Sequence, residues 1–360
     1  MSNGASSTSN PFAAHQAFLR ERLYSILAML HPVLLLDVER ALSAQGKLLS
    51  QAHSAVSSPA LPAGTWALLS LLIAQYIDPY IDLTKASSVA LAVECFVCAL
   101  DLLDDVEDED QTSVIQELSI PRALNVSTTL LALSQHFIFS LRQKKVSPAT
   151  VLRLLQSFAD CMMAAVNGQH RDLLAEQRPA REITREECIE IAAGKAGAIM
   201  QLAFQSGAIC AGAKRKVNKQ FAELGMVLGI AHQLDNDAHD LYDLLHHDST
   251  QATDAGTSSA QFKSDLSRGK KTLPVVLAAL SLAKQPGRET LSDNLDAALK
   301  NLSKLSDKEG YRRTLNEGIV ATWGICLLYR ERARERLQEL DAQKPIAAEL
   351  RLLLGFEPSA

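Results

Sequence analysis

A chain of 360 residues that is 47% hydrophobic but only 5% aromatic, with 17 glycines and 12 prolines, can bury a large core and favours long helices over strands. Its formal net charge of −5 offers nucleic acid no basic surface, and the acids gather in clusters. The first dozen residues, MSNGASSTSNPF, lack the basic and apolar regions of a secretory leader and read as a disordered tail over 1–12, which leaves 13–360 as a single domain.

Apolar positions at helical spacing run through His15–Gln51, with a break at His31-Pro32. Two prolines and a glycine make Ser57–Gly64 a loop. Thr65–Tyr80 and Ser87–Asp105 are apolar all round, so they are expected in the centre of the protein. Pro121 opens a helix to about Gln143. Ser147-Pro148 supplies an N-cap and first-turn proline for the next, which runs to Gly168 or Leu174. Thr184-Arg-Glu-Glu187 is a capping box before a helix that continues through Gly194 to Ala211, and Lys216–Tyr242 is a further long helix. His246–Gln261 is a polar loop of a length that signals function. Helices resume at Thr272–Ala283, Leu291–Leu305, Tyr311–Leu340 and Pro345–Leu354. No alternating strand pattern persists, so the expected fold is all-α, a bundle of ten or more helices.

Apolar runs such as Trp66–Ala74 and Val89–Leu103 are too short for a membrane span or are interrupted by acids, and no integral membrane segment is expected. The six cysteines sit inside apolar helical patterns. Cys95 and Cys98 form a CxxC with no second pair or histidine to complete a zinc set, so they read as core thiols in a cytoplasmic protein.

Two acidic clusters carry the chemistry. Within Leu100–Asp110, Asp104 and Asp108 lie four apart on one helix face, with Asp105 beside them and Asp101 a turn earlier on the same stripe. Carboxylates stacked in this way repel, and a divalent cation reverses that penalty. The second cluster, Asn236, Asp237 and Asp240, repeats the spacing at the end of another apolar helix. Two basic pieces accompany them. Gly194-Lys195-Ala-Gly197 puts a lysine between glycines, where glycine costs about 1 kcal/mol against alanine in a helix, and Lys263–Pro274 is a basic run. Either cluster or basic piece alone is equally a solvated surface. Together, acids that hold metal and lysines that neutralise phosphate describe a diphosphate site.

In order and spacing these pieces resemble the trans-polyprenyl diphosphate synthases, within the class I isoprenoid synthases, over about residues 90–280. Glu94 stands ten residues before Asp104, as that family's helical glutamate does. DDVED matches its first aspartate-rich motif, and Gly168-Gln169-His-Arg-Asp172-Leu its Gly-Gln-x-x-Asp-Leu. Gly194-Lys195-Ala196 is similar to its Lys-Thr kink, Gln233 with Asn236, Asp237 and Asp240 to its second motif, and SDLSRGKKTLP to its Ser-Asp-Leu-x-x-Gly-Lys-x-Thr-Leu-Pro. The resemblance implies a helical barrel around an apolar pocket, a homodimer, and three Mg²⁺ ions clamping a prenyl diphosphate. Asp104, Asp108, Asn236, Asp237 and Asp240 would hold metal. Lys195, Lys263 and Lys270, with Gln169, Asp172 and Gln233, would bind substrate. Asp104, Asp105, Asp108, Lys195 and Asp237 would serve catalysis by stabilising the departing pyrophosphate.

The departures concern the second substrate. Elongating members carry Gly-Lys-x-x-Arg before the first motif and an arginine pair after it, and both bind isopentenyl diphosphate. The upstream segment Pro62–Leu69 has no basic residue, none occurs from Gln51 to Thr84, and the first arginine after DDVED is Arg122. The sequence therefore predicts a terpene-synthase-like enzyme that ionises one prenyl diphosphate and lets the cation cyclise, lose a proton or be trapped. Asn236 fits the terpene-synthase triad in part, since Asp240 and Leu244 stand where that triad has Ser/Thr and Glu. The alternatives are a prenyltransferase with a remodelled acceptor site or a non-diphosphate acceptor, as in synthase-like enzymes that modify peptide tryptophans, and a non-catalytic helical partner subunit. Asp101, where the family is apolar, is expected to face the cation or an ordered water, or to be a partnered carboxylate. Ala99, five before Asp104, is small, and in this family small residues there leave the pocket deep, favouring a C15 or C20 donor. His232 and His239 are expected to make hydrogen bonds rather than bind metal.

Overall fold

The computed structural model describes residues 10–50, 62–246, 269–284, 289–299 and 309–356. Helix α1 (Ala13–Leu27) and helix α2 (Pro32–Leu42) are separated at His31, whose Nδ1 accepts from the Val33 amide at 3.4 Å ahead of the first-turn proline. Asn10 leads into α1, and Phe12, assigned to the tail by the sequence, is buried in the core. Helices α3 (Thr65–Ile77), α4 (Leu83–Glu107), α5 (Ser113–Leu118), α6 (Ile120–Ser140) and α7 (Pro148–Glu176) follow. Next come α8 (Arg185–Ala192), a π-helical segment (Ala193–Gly197) and α9 (Ala198–Cys210), which run on as one interrupted helix. The chain continues with α10 (Arg215–His246), α11 (Leu273–Ala283), α12 (Glu289–Leu299), α13 (Glu309–Gln343) and α14 (Ala348–Leu353). No strand occurs among the described residues, and the all-α expectation holds.

Helix α4 is the axis of the bundle. Every residue from Ala86 to Leu100 is buried, and the helix is enclosed by α3, α6 and α9. The second long axis is α10, which packs between α9 and α13. Arg330 and Arg336 of α13 reach Asp235 and Glu223 of α10 at 2.8 and 3.0 Å. The caps read from the sequence form. Ser147 Oγ accepts from the Thr150 amide at 3.1 Å, and Thr184 Oγ1 from the Glu187 amide at 3.0 Å. Glu187 itself turns to Arg178, at 2.6 Å.

Both α4 and α7 contain a window long and apolar enough to cross a membrane, a feature the sequence reading did not assign. In α4 that window is 83% buried, which makes it a core helix, whereas in α7 it is 28% buried. The cysteines are unpaired; burial pushes the Cys98 thiol up to about 12 and that of Cys95 well above its ordinary range, so the CxxC is a pair of inert core thiols.

Candidate active site

The site begins with a backbone problem. Lys195 lies in the middle of the π-helical segment, and glycines on three elements let that segment come close to its neighbours. A Cβ on Gly194 would stand 3.0 Å from the Gly168 Cα of α7, and one on Gly229 of α10 would stand 2.3 Å from the Ala196 carbonyl oxygen. The segment is therefore clasped between α7 and α10 with backbone against backbone. This close approach offsets the helix penalty of the glycines and aims one lysine inward; π-bulges frequently mark functional sites for this reason.

Lys195 Nζ meets Gln169 Oε1 at 2.6 Å, Asp172 Oδ2 at 3.0 Å and Asp104 Oδ1 at 3.1 Å. Gln169 extends the network by donating from Nε2 to Asp108 Oδ1 at 2.9 Å, and Lys270 Nζ reaches Asp108 Oδ2 at 3.0 Å. Asp108 caps the C-terminus of α4, an unfavourable place for a carboxylate, and the chain turns away through Glu109 at φ +55°. Burial raises the pKa of Asp108, but Lys270 and Lys195 outweigh it and hold the carboxyl below its usual value. Burial would equally discharge Lys195; the carboxylates of Asp104, Asp172 and Asp108 instead keep it a firm cation. On α10, Gln233 Nε2 donates to Asp237 Oδ1 at 3.0 Å, and burial pushes the Asp237 carboxyl up to about 6 against the pull of Gln233 and Lys270. Asn236 is exposed at the rim, and Asp240 lies a turn beyond.

Asp104, Gln169, Lys195, Gln233 and Asn236 line a cavity of about 410 Å³, and Asp172, Asp237 and Lys270 line a small adjoining one that shares Lys195 and Gln233. The wall of the larger cavity is mostly apolar, with Leu100, Leu103, Ala165, Ile199 and Trp66 of α3 lining it together with Asp104 and Lys195. His232 lines it too, its ring kept neutral by burial, while His239 bonds to the Asp235 carbonyl at 2.9 Å.

Two sequence-derived residues lie elsewhere. Asp105 turns away from the lysines toward Thr112, whose Oγ1 donates to it at 3.1 Å, and burial lifts its carboxyl to about 7. Ala99 is fully buried, its carbonyl held by Ser127 of α6 at 2.9 Å, and it does not line the cavity, so it gives no measure of pocket depth. It lies about 140° round α4 from Asp104, just past the Leu103 edge of the lining face, where α6 packs against it. Lys263 falls outside the described residues.

One residue was missed. Lys47, in Gly46-Lys47-Leu48-Leu49-Ser50, pairs with Asp101 Oδ2, and the fully buried Glu94 on the same stripe of α4 accepts from the amides of Leu48 at 2.8 Å and Ala67 at 3.2 Å. The basic pre-motif segment thus lies at Gly46–Ser50, ahead of the segment Pro62–Leu69 to which the sequence reading assigned it, with Ser50 in place of the arginine. The Gly-Lys pair, with Gly46 at φ +80°, was the available signal. Asp101 is accordingly a partnered carboxylate, one of the two outcomes expected for it.

Among the described residues no three His, Cys, Asp or Glu side chains converge to form a metal cage. The available donors are hard oxygens at the ends of two helices with lysines between them. That set fits Mg²⁺, which takes one or two carboxylates and otherwise keeps waters and substrate phosphates.

The polyprenyl synthetase family model matches residues 64–309. Among known proteins, the chain is 32% identical over 155 residues to the tryptophan prenyltransferase ComQ of Bacillus spizizenii, a match covering 43% of this chain and half the length of that relative. It is 26% identical over 282 residues to a (2E,6E)-farnesyl diphosphate synthase of Mycobacterium bovis, covering 73% of each. In fold it is similar to a geranylgeranyl pyrophosphate synthase crystal structure, with a TM-score of 0.75 at 18% identity over 97% of this chain and all of the other. The helical bundle, the paired acidic helix ends and the length of the family match lead to one conclusion: the chain belongs to the polyprenyl synthetase family.

Proposed function

We propose that this protein is a Mg²⁺-dependent prenyltransferase that ionises a linear prenyl diphosphate and passes the prenyl group to an acceptor. The observation that carries this reading is the network of Lys195, Asp104, Asp172, Gln169, Asp108 and Lys270, of which Lys195, Asp104 and Gln169 line a mostly apolar cavity. In it, cations and metal-type oxygens face the place where a diphosphate would end, and the prenyl chain would lie below. Asp104 and Asp108 with Asn236, Asp237 and Asp240 would hold the ions, three if the family pattern is kept, and Mg²⁺ would supply charge neutralisation of the leaving group. Lys195 and Lys270 would carry the developing negative charge of pyrophosphate, and Gln169 and Asp172 would hold Lys195 in position. Leu100, Leu103 and Ile199 would shield the cation from water.

Prenyl transfer is favoured over the cyclising outcome by two features. The relatives' names describe transferases or chain-building synthases, and Gly46-Lys47 keeps part of the family's acceptor motif, set behind Asp101. A C15 or C20 donor suits the cavity, whose volume falls within the range of about 300–1,000 Å³ common for small-ligand pockets. The single catalytic domain spans 13–360 in this reading, and its unpaired thiols suit the cytoplasm. Exposed Phe139 of α6 with Leu152 and Met163 of α7 supports a homodimer through those helices, which light scattering would test.

The test of the activity is pyrophosphate release from C10, C15 and C20 diphosphates with Mg²⁺, with and without acceptors, products being identified by mass. Acceptor-bound prenyl product supports transfer. Cyclic hydrocarbon formed equally well in every mixture would replace it with a terpene synthase, and no release under any condition would remove the reading.

A further inference from the structure

The geometry points to an acceptor of a particular class: the Lys47–Asp101 pair makes that side of the cavity a seat for an uncharged nucleophile bearing an N–H or O–H donor, and turns away a second diphosphate. This inference rests on the prenyltransferase reading above. Among the described residues Lys47 is the cation that stands where elongating relatives would need one, yet it is only 8% exposed and does not line the cavity. Asp101 lines it instead, its side chain 47% exposed, with the lysine behind. What the acceptor meets is therefore a carboxylate.

The charge count on this side runs the same way. Lys47 is held by Asp101 and, more weakly, by Glu94, whose carboxyl burial pushes up, so its charge is already answered within the fold. The nearby arginines do not line the cavity. Arg20 donates to the carbonyls of Leu48 and Ser50 at 2.8 and 3.2 Å, Arg122 to Asp37 at 3.0 Å, and Arg40 pairs with Glu117. Among the described residues that line the cavity, Lys195 is the only lysine or arginine, and it belongs to the donor side. A second diphosphate would meet the Asp101 carboxylate on this side and, among the described residues, no lining cation. A carboxylate can only accept hydrogen bonds, and Lys47 takes one of about four lone-pair sites. Those that remain call for a donor on an uncharged partner. Trp66, Leu100 and Leu103 beside Asp101 favour one with an apolar or aromatic body.

In the transfer, the C1–O bond of the donor breaks with its electron pair staying on pyrophosphate. The acceptor's π or lone pair forms the new bond to C1, and the proton it then loses passes to the Asp101 carboxylate.

Calorimetry of the full chain with Mg²⁺, its donor site filled by farnesyl thiodiphosphate, tests this with two probes, N-acetyl-tryptophanamide and isopentenyl diphosphate. The native protein is expected to bind the amide at least tenfold more tightly than isopentenyl diphosphate. Asp101→Leu, which uncovers Lys47, should reverse that order by at least tenfold. The nearly isosteric Asp101→Asn should shift it the same way by less, and serves if the leucine variant does not fold. Tight isopentenyl diphosphate binding by the native protein, an order unchanged in both variants, or binding of neither probe would each overturn the assignment. Pyrophosphate release from farnesyl diphosphate on the same samples separates the two levels. Its absence would remove the parent reading, while release accompanied by chain elongation would keep that reading and remove only the acceptor class.

Discussion

Lys195 and Lys47 both touch aspartates of α4, and the molecule treats them in opposite ways. Lys195 sits in a helical bulge at the cavity rim, shared among Asp104, Asp172 and Gln169, with Lys270 working on Asp108 beside it. Lys47 sits behind the wall, closed off by Asp101 and overseen by Glu94. The first is a cation held ready for an incoming anion; the second is neutralised by the fold. Both positions match basic places in the same family pattern, so the presence of a lysine in a motif says less about function than what stands between it and the cavity.

The comparison can be broken at several points. The largest effect is expected from chelation. EDTA should abolish pyrophosphate release while shifting Tm by no more than about 1 °C, because no preformed cage contributes to folding; a large Tm drop would reveal a structural metal. Next is Gly229→Ala. Its Cβ would press on a backbone oxygen that cannot give way, so a loss of about 3 kcal/mol or more is expected by denaturant unfolding, and an unchanged midpoint would contradict the clasped bulge. Lys47→Met should cost about 3 kcal/mol, since it leaves Asp101 and the buried Glu94 without their counter-ion. Arg122→Ala, which removes a half-exposed pair with Asp37, should cost about 1 kcal/mol or less.

Much of this was legible in the sequence, and for identifiable reasons. The two acidic clusters declared themselves through i, i+4 spacing after apolar helices, and that spacing does place Asp104 and Asp108 on one face. The glycines around Lys195 marked an irregularity, although only the structure shows it as a five-residue π segment pressed between α7 and α10. Other features were not legible because they depend on distant partners. Asp105 shares the motif with Asp104, yet its direction is decided by Thr112. Ala99 was read as facing the pocket, but the packing of α6 covers it. Lys47 escaped notice because its meaning lies in a contact with Asp101, 54 residues away, and because the arginine that completes its motif is replaced by Ser50. The short α5 helix was also missed, for its six residues carry no periodic signal of their own.

The central claim is that only one of the two lysines works on the leaving group. Pyrophosphate release from farnesyl diphosphate with saturating Mg²⁺, measured side by side in the native protein, Lys195→Met and Lys47→Met, tests it most directly. The account predicts release by the native protein, a loss of about a hundredfold or more in Lys195→Met, and a change of less than about tenfold in Lys47→Met under conditions where that variant remains folded. Equal losses in the two variants, or undiminished release by Lys195→Met, would contradict it.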